Sequence, residues 1–250
     1  IAAVEEEVKQ SGYSLMILQS ADNPETEIEN LKIYRQNRVS GVFVCLAKET
    51  SNLDAYHKVK DAGIPVVFFD KVPDDDTFNR VCLADKDAAV MAAEALLKKQ
   101  KKNILAIFGD PQISITKRRL QALNETLQPH KKIKLTVEHA DTMEVAGTLT
   151  HRYFQLKQPP DAVFCMSDEI LMGVMKCVQQ LKLDIPKQTG VIALSDGFFP
   201  KIYFPEITYV ETSGYRLGKL ACERMMQCVK GKEEPKELFV SSRFVEGNSL

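Results

Sequence analysis

An arginine and three polar strand ends hold most of the chemical potential of this chain. Arg119, in the run Lys117-Arg118-Arg119, offers a rigid fork of donors suited to carboxylate, phosphate or vicinal hydroxyls. A surface ion pair is the equal alternative. Three adjacent cations cannot share one helical face, so at least one turns away from the others. Apolar runs stop at Phe69-Asp70-Lys71, Met166-Ser167-Asp168 and Leu194-Ser195-Asp196, putting carboxylates, an ammonium and hydroxyls where strands end. Such groups hold a polar solute by hydrogen bonding. Ser167 either caps the helix that follows or faces a ligand, and Asp168 fits an N-cap or first-turn acid before it fits a ligand contact. Cys45 suits the wall of a cleft, and Asp141, after the run 133–137, is a further candidate.

Signatures of bond-breaking chemistry are scarce. The sequence holds no G-x-x-x-x-G-K-[ST], no G-x-G-x-x-G after a strand and no G-x-S-x-G. The histidines at 57, 130, 139 and 151 have no metal-ligand spacing, and each has a polar or loop-like neighbourhood that favours a solvated role. Lys98-Lys99-Gln100-Lys101-Lys102 lies where a helix ends, and cations there complement the helix dipole. Phe198, Phe199, Tyr203 and Phe204 fit sugar stacking or packing between lobes. The expectation is a binding protein without enzyme activity, cofactor or metal.

The elements that must carry these groups alternate. Short apolar runs such as Val42 to Leu46, Val66 to Phe69, Ile104 to Phe108, Ala162 to Met166 and Gly190 to Leu194 are separated by amphipathic helical stretches, which predicts an α/β fold with parallel sheets. In open parallel sheets the carboxyl ends of the strands line the ligand crevice. Tyr13 to Gln19 is predicted as a further strand. The opening Ile-Ala-Ala-Val-Glu-Glu-Glu-Val is already helical, with Ile1, Val4 and Val8 on one face and Gly12 as its stop. A doubly wound domain leads with a central strand, so at least one strand is expected ahead of Ile1.

Lys and Arg total 33 against 34 Asp and Glu among 250 residues, without the basic excess that gripping DNA phosphates demands. Six cysteines show no C-x-x-C pair and lie mostly in apolar stretches, as reduced core thiols of a cytoplasmic protein do. No apolar run reaches the roughly 18 to 20 residues that span a bilayer, so no membrane partner is expected. Two α/β series exceed one compact domain and predict two Rossmann-like lobes. Residues 1–84 with 211–238 form the first, and 85–210 with 239–250 the second.

Taken in order, Arg38-Val39-Ser40-Gly41-Val42, Gly63-Ile64-Pro65-Val66-Val67, Asp70-Lys71, Arg119-Leu120-Gln121-Ala122-Leu123, Pro160-Asp161-Ala162-Val163-Phe164, Ser167-Asp168, Gly173, Ser195-Asp196, Pro205-Glu206-Ile207-Thr208 and Leu217-Gly218 resemble the effector-binding core of LacI/GalR-type bacterial transcriptional regulators. The likeness spans nearly the whole chain. It implies a periplasmic-binding-protein-like type I fold with a small effector, a sugar or sugar derivative, held between two lobes. It further implies a homodimer and an N-terminal helix-turn-helix headpiece that binds operator DNA under allosteric control. In that family the arginine matched by Arg119 commonly holds the effector, and an acid commonly stands where this chain has Ser195. Ser167 replaces an asparagine, Lys71 an arginine and Ala122 a glycine, and Ala84-Asp85-Lys86 replaces the Asp-Asn of the crossover. The resemblance implies effector contacts from Arg119, Asp70, Lys71, Ser167, Asp168, Ser195, Asp196, Cys45 and Asp141. The alternative on the same fold is a periplasmic sugar-binding protein serving a transporter or membrane sensor.

Overall fold

The computed structural model describes residues 1–231 and 234–250. Its elements run α1 (Ala2–Gln10), α2 (Pro24–Gln36), β1 (Val42–Val44), α3 (Asp54–Asp61), β2 (Val66–Phe69), β3 (Asn79–Leu83), α4 (Asp85–Lys98), β4 (Asn103–Phe108) and α5 (Ser114–Leu127). There follow β5 (Lys134–His139), α6 (Met143–Phe154), β6 (Ala162–Cys165), α7 (Asp168–Gln180), β7 (Gly190–Ser195), α8 (Phe199–Ile202), β8 (Thr208–Glu211), α9 (Gly214–Val229), β9 (Glu237–Val240) and β10 (Arg243–Val245). The chain divides into two units, Ile1–Leu83 with Gly214–Val240 and Ala84–Ser213 with Ser241–Leu250.

In the N-terminal unit the order β1-β2-β3-β9 forms an all-parallel sheet. Alternation along each strand builds two cores, because successive side chains point to opposite faces. Val42, Val44, Val66, Phe68 and Cys82 meet Leu31 of α2 with Tyr56 and Val59 of α3. Val67, Val81 and Leu83 meet Leu217, Ala221 and Met225 of α9 on the other side. Helix α2 starts where Asn23 accepts the Thr26 amide at 2.8 Å and Pro24 takes the first turn, a position where its missing N–H costs nothing. Helix α9 is tied to β3 by a buried Arg224, whose Nε donates to Asn79 Oδ1 at 2.6 Å.

The expected strand Tyr13 to Gln19 does not form: residues 13–20 join no ladder. Its apolar run is strand-like, but a strand is made by a partner's hydrogen bonds, and the described residues supply none. The Tyr13 amide returns to Val8 O, and that of Leu18 goes to the Tyr34 hydroxyl.

The C-terminal unit carries the six-stranded order β10-β8-β7-β6-β4-β5, parallel except for β10 against β8. Its central strands β4, β6 and β7 are buried almost throughout and read as continuous apolar runs, as parallel strands covered on both faces do. Helix α7 is capped by Ser167, whose Oγ accepts the Ile170 amide, and α6 by Thr142. Helices α6 and α7 meet where Gly173 lacks a side chain: a Cβ there would stand 2.2 Å from Met143 O. This architecture is the α/β, two-unit, parallel-sheet organisation expected from the alternating runs.

Candidate functional site

Arg119 is buried on α5, in the C-terminal unit, and each of its donors can be followed. Its Nε donates to Asp85 Oδ1 at 2.8 Å, and Nη1 donates to Met166 O at 2.9 Å. Both partners mark the edge of an element, Asp85 as the first residue of α4 and Met166 just past β6. The Met166 amide in turn donates to Ile107 O, and its sulfur accepts from Gly109 N and Thr116 Oγ1. The guanidinium is therefore locked at the carboxyl ends of β4 and β6. Its Nη2 meets no protein acceptor among the described residues and is not sealed from solvent. That leaves one oriented donor for a ligand oxygen. Arg119 is thus neither a surface ion pair nor a loose clamp.

Beside it, the carboxylate of Asp168 ties two strand ends together. Its Oδ1 accepts the Ser195 hydroxyl at 2.5 Å, and Oδ2 accepts the Asp196 amide at 3.2 Å. Ser195 Oγ also accepts the Gly197 amide at 2.9 Å, so this buried hydroxyl is engaged on both sides by the protein. Asp196 accepts the Phe198 amide and is exposed. Burial pushes the Asp168 carboxyl above its ordinary value, the Ser195 and Asp196 hydrogen bonds oppose that, and the Asp196 charge adds to it. The strand-end acid absent at position 195 is answered by a carboxylate one strand away. Phe198 and Phe204, 64% and 98% exposed, lie just beyond in sequence, with Phe198 edge-on to Phe199 at 5.3 Å.

The N-terminal unit presents its own set. Asp70 closes β2 with a left-handed backbone, φ 62°, a conformation that costs energy in a non-glycine residue and concentrates at functional sites. Cys45 Sγ lies 3.9 Å from Asp70 Oδ2. Lys71 Nζ donates to Asp22 Oδ1 at 3.2 Å, and that oxygen also accepts the Lys48 amide at 3.1 Å. Burial raises the Asp22 carboxyl, but the Lys48 amide and the Lys71 ammonium outweigh it and hold it below the ordinary carboxylate value. Each cation of the candidate set, Arg119 and Lys71, is thus already matched by a carboxylate.

Asp141 is exposed just beyond the end of β5, the outermost strand of its sheet, whose last residue His139 pairs with Phe108 at the end of β4. His139 Nδ1 donates to Gly109 O at 2.7 Å in the tautomer that carries its proton there. Among the described residues no three His, Cys, Asp or Glu groups are placed to hold a metal, and no helix is long and apolar enough to cross a membrane. Sequence reasoning missed Asp22 and read Asp85 only as a boundary. Asp22 was within reach of the rule that found Asp70, a polar residue following an apolar run. The Asp85–Arg119 pairing spans 34 positions and leaves no local pattern.

Comparisons with known proteins bear on the family and the fold. The model for periplasmic binding proteins and the sugar binding domain of the LacI family matches residues 1–247. The HTH-type transcriptional repressor PurR of Actinobacillus pleuropneumoniae is 26% identical over 234 residues, 92% of this chain and 69% of its own length. A LacI family transcriptional regulator from Enterococcus faecium with bound ribose superposes with a TM-score of 0.86 at 16% identity, over 99% of this chain and 91% of that one. The Cra transcriptional dual regulator of Pseudomonas putida in complex with fructose 1-phosphate does so at 0.83 and 22%, over 98% and 91%. With a match over residues 1–247, the chain belongs to the family of periplasmic binding proteins and LacI-type sugar binding domains.

Proposed function

We propose that this chain is the effector-binding part of a cytoplasmic transcriptional regulator that takes a small, neutral, polyhydroxylated ligand. The observation that carries this is the guanidinium of Arg119, fixed through Nε and Nη1 with Nη2 left for a ligand oxygen. Its charge is balanced by Asp85, as that of Lys71 is by Asp22. A phosphorylated ligand gains most from unpaired positive charge, whereas sugar hydroxyls are served by paired donors beside carboxylate acceptors. Asp168 and Asp196 in one unit, with Asp70 in the other, are the acceptors, and Lys71, Ser167 and Cys45 complete the contacts. Ser195 acts behind them by holding Asp168.

A ligand that bonds to groups of both units favours whichever arrangement of them lets it do so. Passed to a helix-turn-helix headpiece in a homodimer, that preference changes operator affinity by the ligand's difference in affinity for the two states, commonly about 1–3 kcal/mol. The relatives' names as repressors support this reading, and no covalent step is required. Calorimetric titration with ribose, other neutral mono- and disaccharides, and fructose 1-phosphate tests it. Saturable binding of a neutral sugar is expected. Preference for the phosphorylated sugar over every neutral one would overturn it.

A further inference from the structure

Three loops of the N-terminal unit, at 20–23, 46–50 and 70–72, converge on one carboxylate, Asp22. Its backbone is left-handed, φ 62°, and so is that of Ala21 before it, φ 52°, in a tight turn closed by the Asn23 amide on Ser20 O at 3.1 Å. Two consecutive non-glycine residues in that region cost energy. The turn directs Asp22 so that a single oxygen, Oδ1, accepts the Lys71 ammonium at 3.2 Å and the Lys48 amide at 3.1 Å.

A second carboxylate fixes the loop that supplies the amide. Glu27 of α2 is buried and accepts the Ala47 amide at 2.6 Å, the Thr50 hydroxyl at 2.6 Å and the Tyr56 hydroxyl at 2.8 Å. The Leu46 amide donates to Lys71 O at 3.0 Å, which ties the same loop to the residue whose ammonium Asp22 meets. Both ends of the Asp22–Lys71 pair are therefore set by the fold. Their side chains are 39% and 30% exposed, open enough for a solute to reach them.

The pair discriminates between ligands by what it has left over. Among the described residues Lys71 gives one N–H to Asp22 and keeps the other donors of its ammonium, while Asp22 keeps Oδ2 as an acceptor. A hydroxyl both donates and accepts, so it can use the two together. A phosphate only accepts, and what it gains from the ammonium it loses against the carboxylate 3.2 Å from that ammonium. Asp70 beside Lys71 and the Lys48 charge beyond Asp22 add one charge of each sign, which leaves the balance to Asp22. We propose that Asp22 is the specificity-determining residue of the N-terminal unit: its charge makes Lys71 a donor to sugar hydroxyls and turns phosphorylated sugars away. This rests on the effector reading above, in which Lys71 touches the ligand, and adds the residue that decides which class is accepted.

Asp22→Asn separates charge from shape. Both bonds end on Oδ1, an oxygen that asparagine retains, and asparagine tolerates the left-handed backbone as aspartate does. Calorimetry on the full natural protein and on the variant, with fructose against fructose 1-phosphate and ribose against ribose 5-phosphate, gives a ratio of affinities for each. The variant is expected to move that ratio at least about 10-fold toward the phosphorylated sugar, the scale of one unit charge at a partly exposed site. Raising salt from about 0.05 to 0.5 M is expected to shrink the shift, and adding Lys71→Met to Asp22→Asn is expected to abolish it. Glu25→Gln, the same loss of charge nearby on α2, is expected to move the ratio less than about threefold, since screening weakens a more distant charge. Should Asp22→Asn fail to fold, Asp22→Gly removes the same charge with a residue that favours this backbone. An unchanged ratio in a protein that binds the neutral sugar would overturn this inference and leave the effector reading standing, and so would equal shifts from Asp22→Asn and Glu25→Gln. Preference of the natural protein for the phosphorylated sugars, or binding of none of the four, would overturn both.

Discussion

Arg119 Nε and Asp85 Oδ1 lie 2.8 Å apart with the two residues 6% and 3% exposed, so the start of α4 is bolted to α5 by a largely buried charge pair. Removing one member leaves the other's buried charge without this counter-ion. Asp85→Ala is expected to lower the unfolding free energy of the C-terminal unit by about 3–5 kcal/mol, the usual consequence of an uncompensated buried charge. Urea denaturation followed by circular dichroism measures this. A loss below about 1 kcal/mol would show that the pair is far wetter than its geometry implies.

Arg119→Ala also breaks this buried pair, so loss of ligand binding in that variant alone would confuse a contact with a collapse. The remedy is to replace both members with apolar residues of similar size, Asp85→Leu with Arg119→Met, an exchange that often restores stability. The double variant is expected to recover most of the stability lost by either single change. Its affinity for the sugar that the natural protein binds is expected to fall about 10- to 150-fold, the equivalent of one charge-assisted hydrogen bond of about 1.5–3 kcal/mol. Calorimetry on the refolded double variant checks this, and unchanged affinity would remove Arg119 from the ligand site.

How far the site could be read from sequence follows from which interactions are local. The runs 162–166 and 190–194 needed only apolar continuity to be strands, whereas position alone left Ser167 between capping α7 and facing a ligand, and its bond to the Ile170 amide makes it the cap. Asp70 and Asp196 were found because strand ends are visible as the close of an apolar run. The residue holding Arg119 in place was invisible, since Asp85 sits in the first turn of α4, where an acid is expected for the helix dipole alone. Ser195 looked like a ligand contact by its position, and only the third dimension turns its hydroxyl to Asp168. Residues 13–20 have strand composition and no ladder, because composition records what a segment buries and not whom it pairs with.

Gly173 fixes the distance between α6 and α7, the helices that flank the β6 end. A Cβ there would stand 2.2 Å from Met143 O and 2.9 Å from Ala146 Cβ, and a backbone carbonyl cannot swing aside as a flexible side chain can. Gly173→Ala is expected to destabilise the protein by about 1–3 kcal/mol through forced separation of the helices, even though alanine favours helix over glycine by about 1 kcal/mol. The thermal midpoint should fall. A rise would mean that the helices slide apart at no cost and that propensity wins.

Asp168 yields a pH dependence whose sign follows from its surroundings. Burial, the largest influence, raises its folded value above the ordinary one, whereas in the unfolded chain an aspartate titrates near about 3.9. Below that value both states are protonated, and the group contributes no pH-dependent difference. As pH rises through the interval between the unfolded and folded values, the unfolded state releases its proton first, so stability declines across that window and stays lowered above it. Asp168→Asn cannot ionise, and it also weakens the bonds from Ser195 Oγ and the Asp196 amide, which the charged form accepts. That second effect opposes the first and is also present only where Asp168 is ionised, but the net upward shift says that burial outweighs it. The stability of Asp168→Asn relative to the natural protein should therefore rise as pH increases from about 3 to 7. Parallel urea titrations at several pH values measure the trend, and a relative stability that falls with pH would mean that the hydrogen bonds to the carboxylate outweigh its burial.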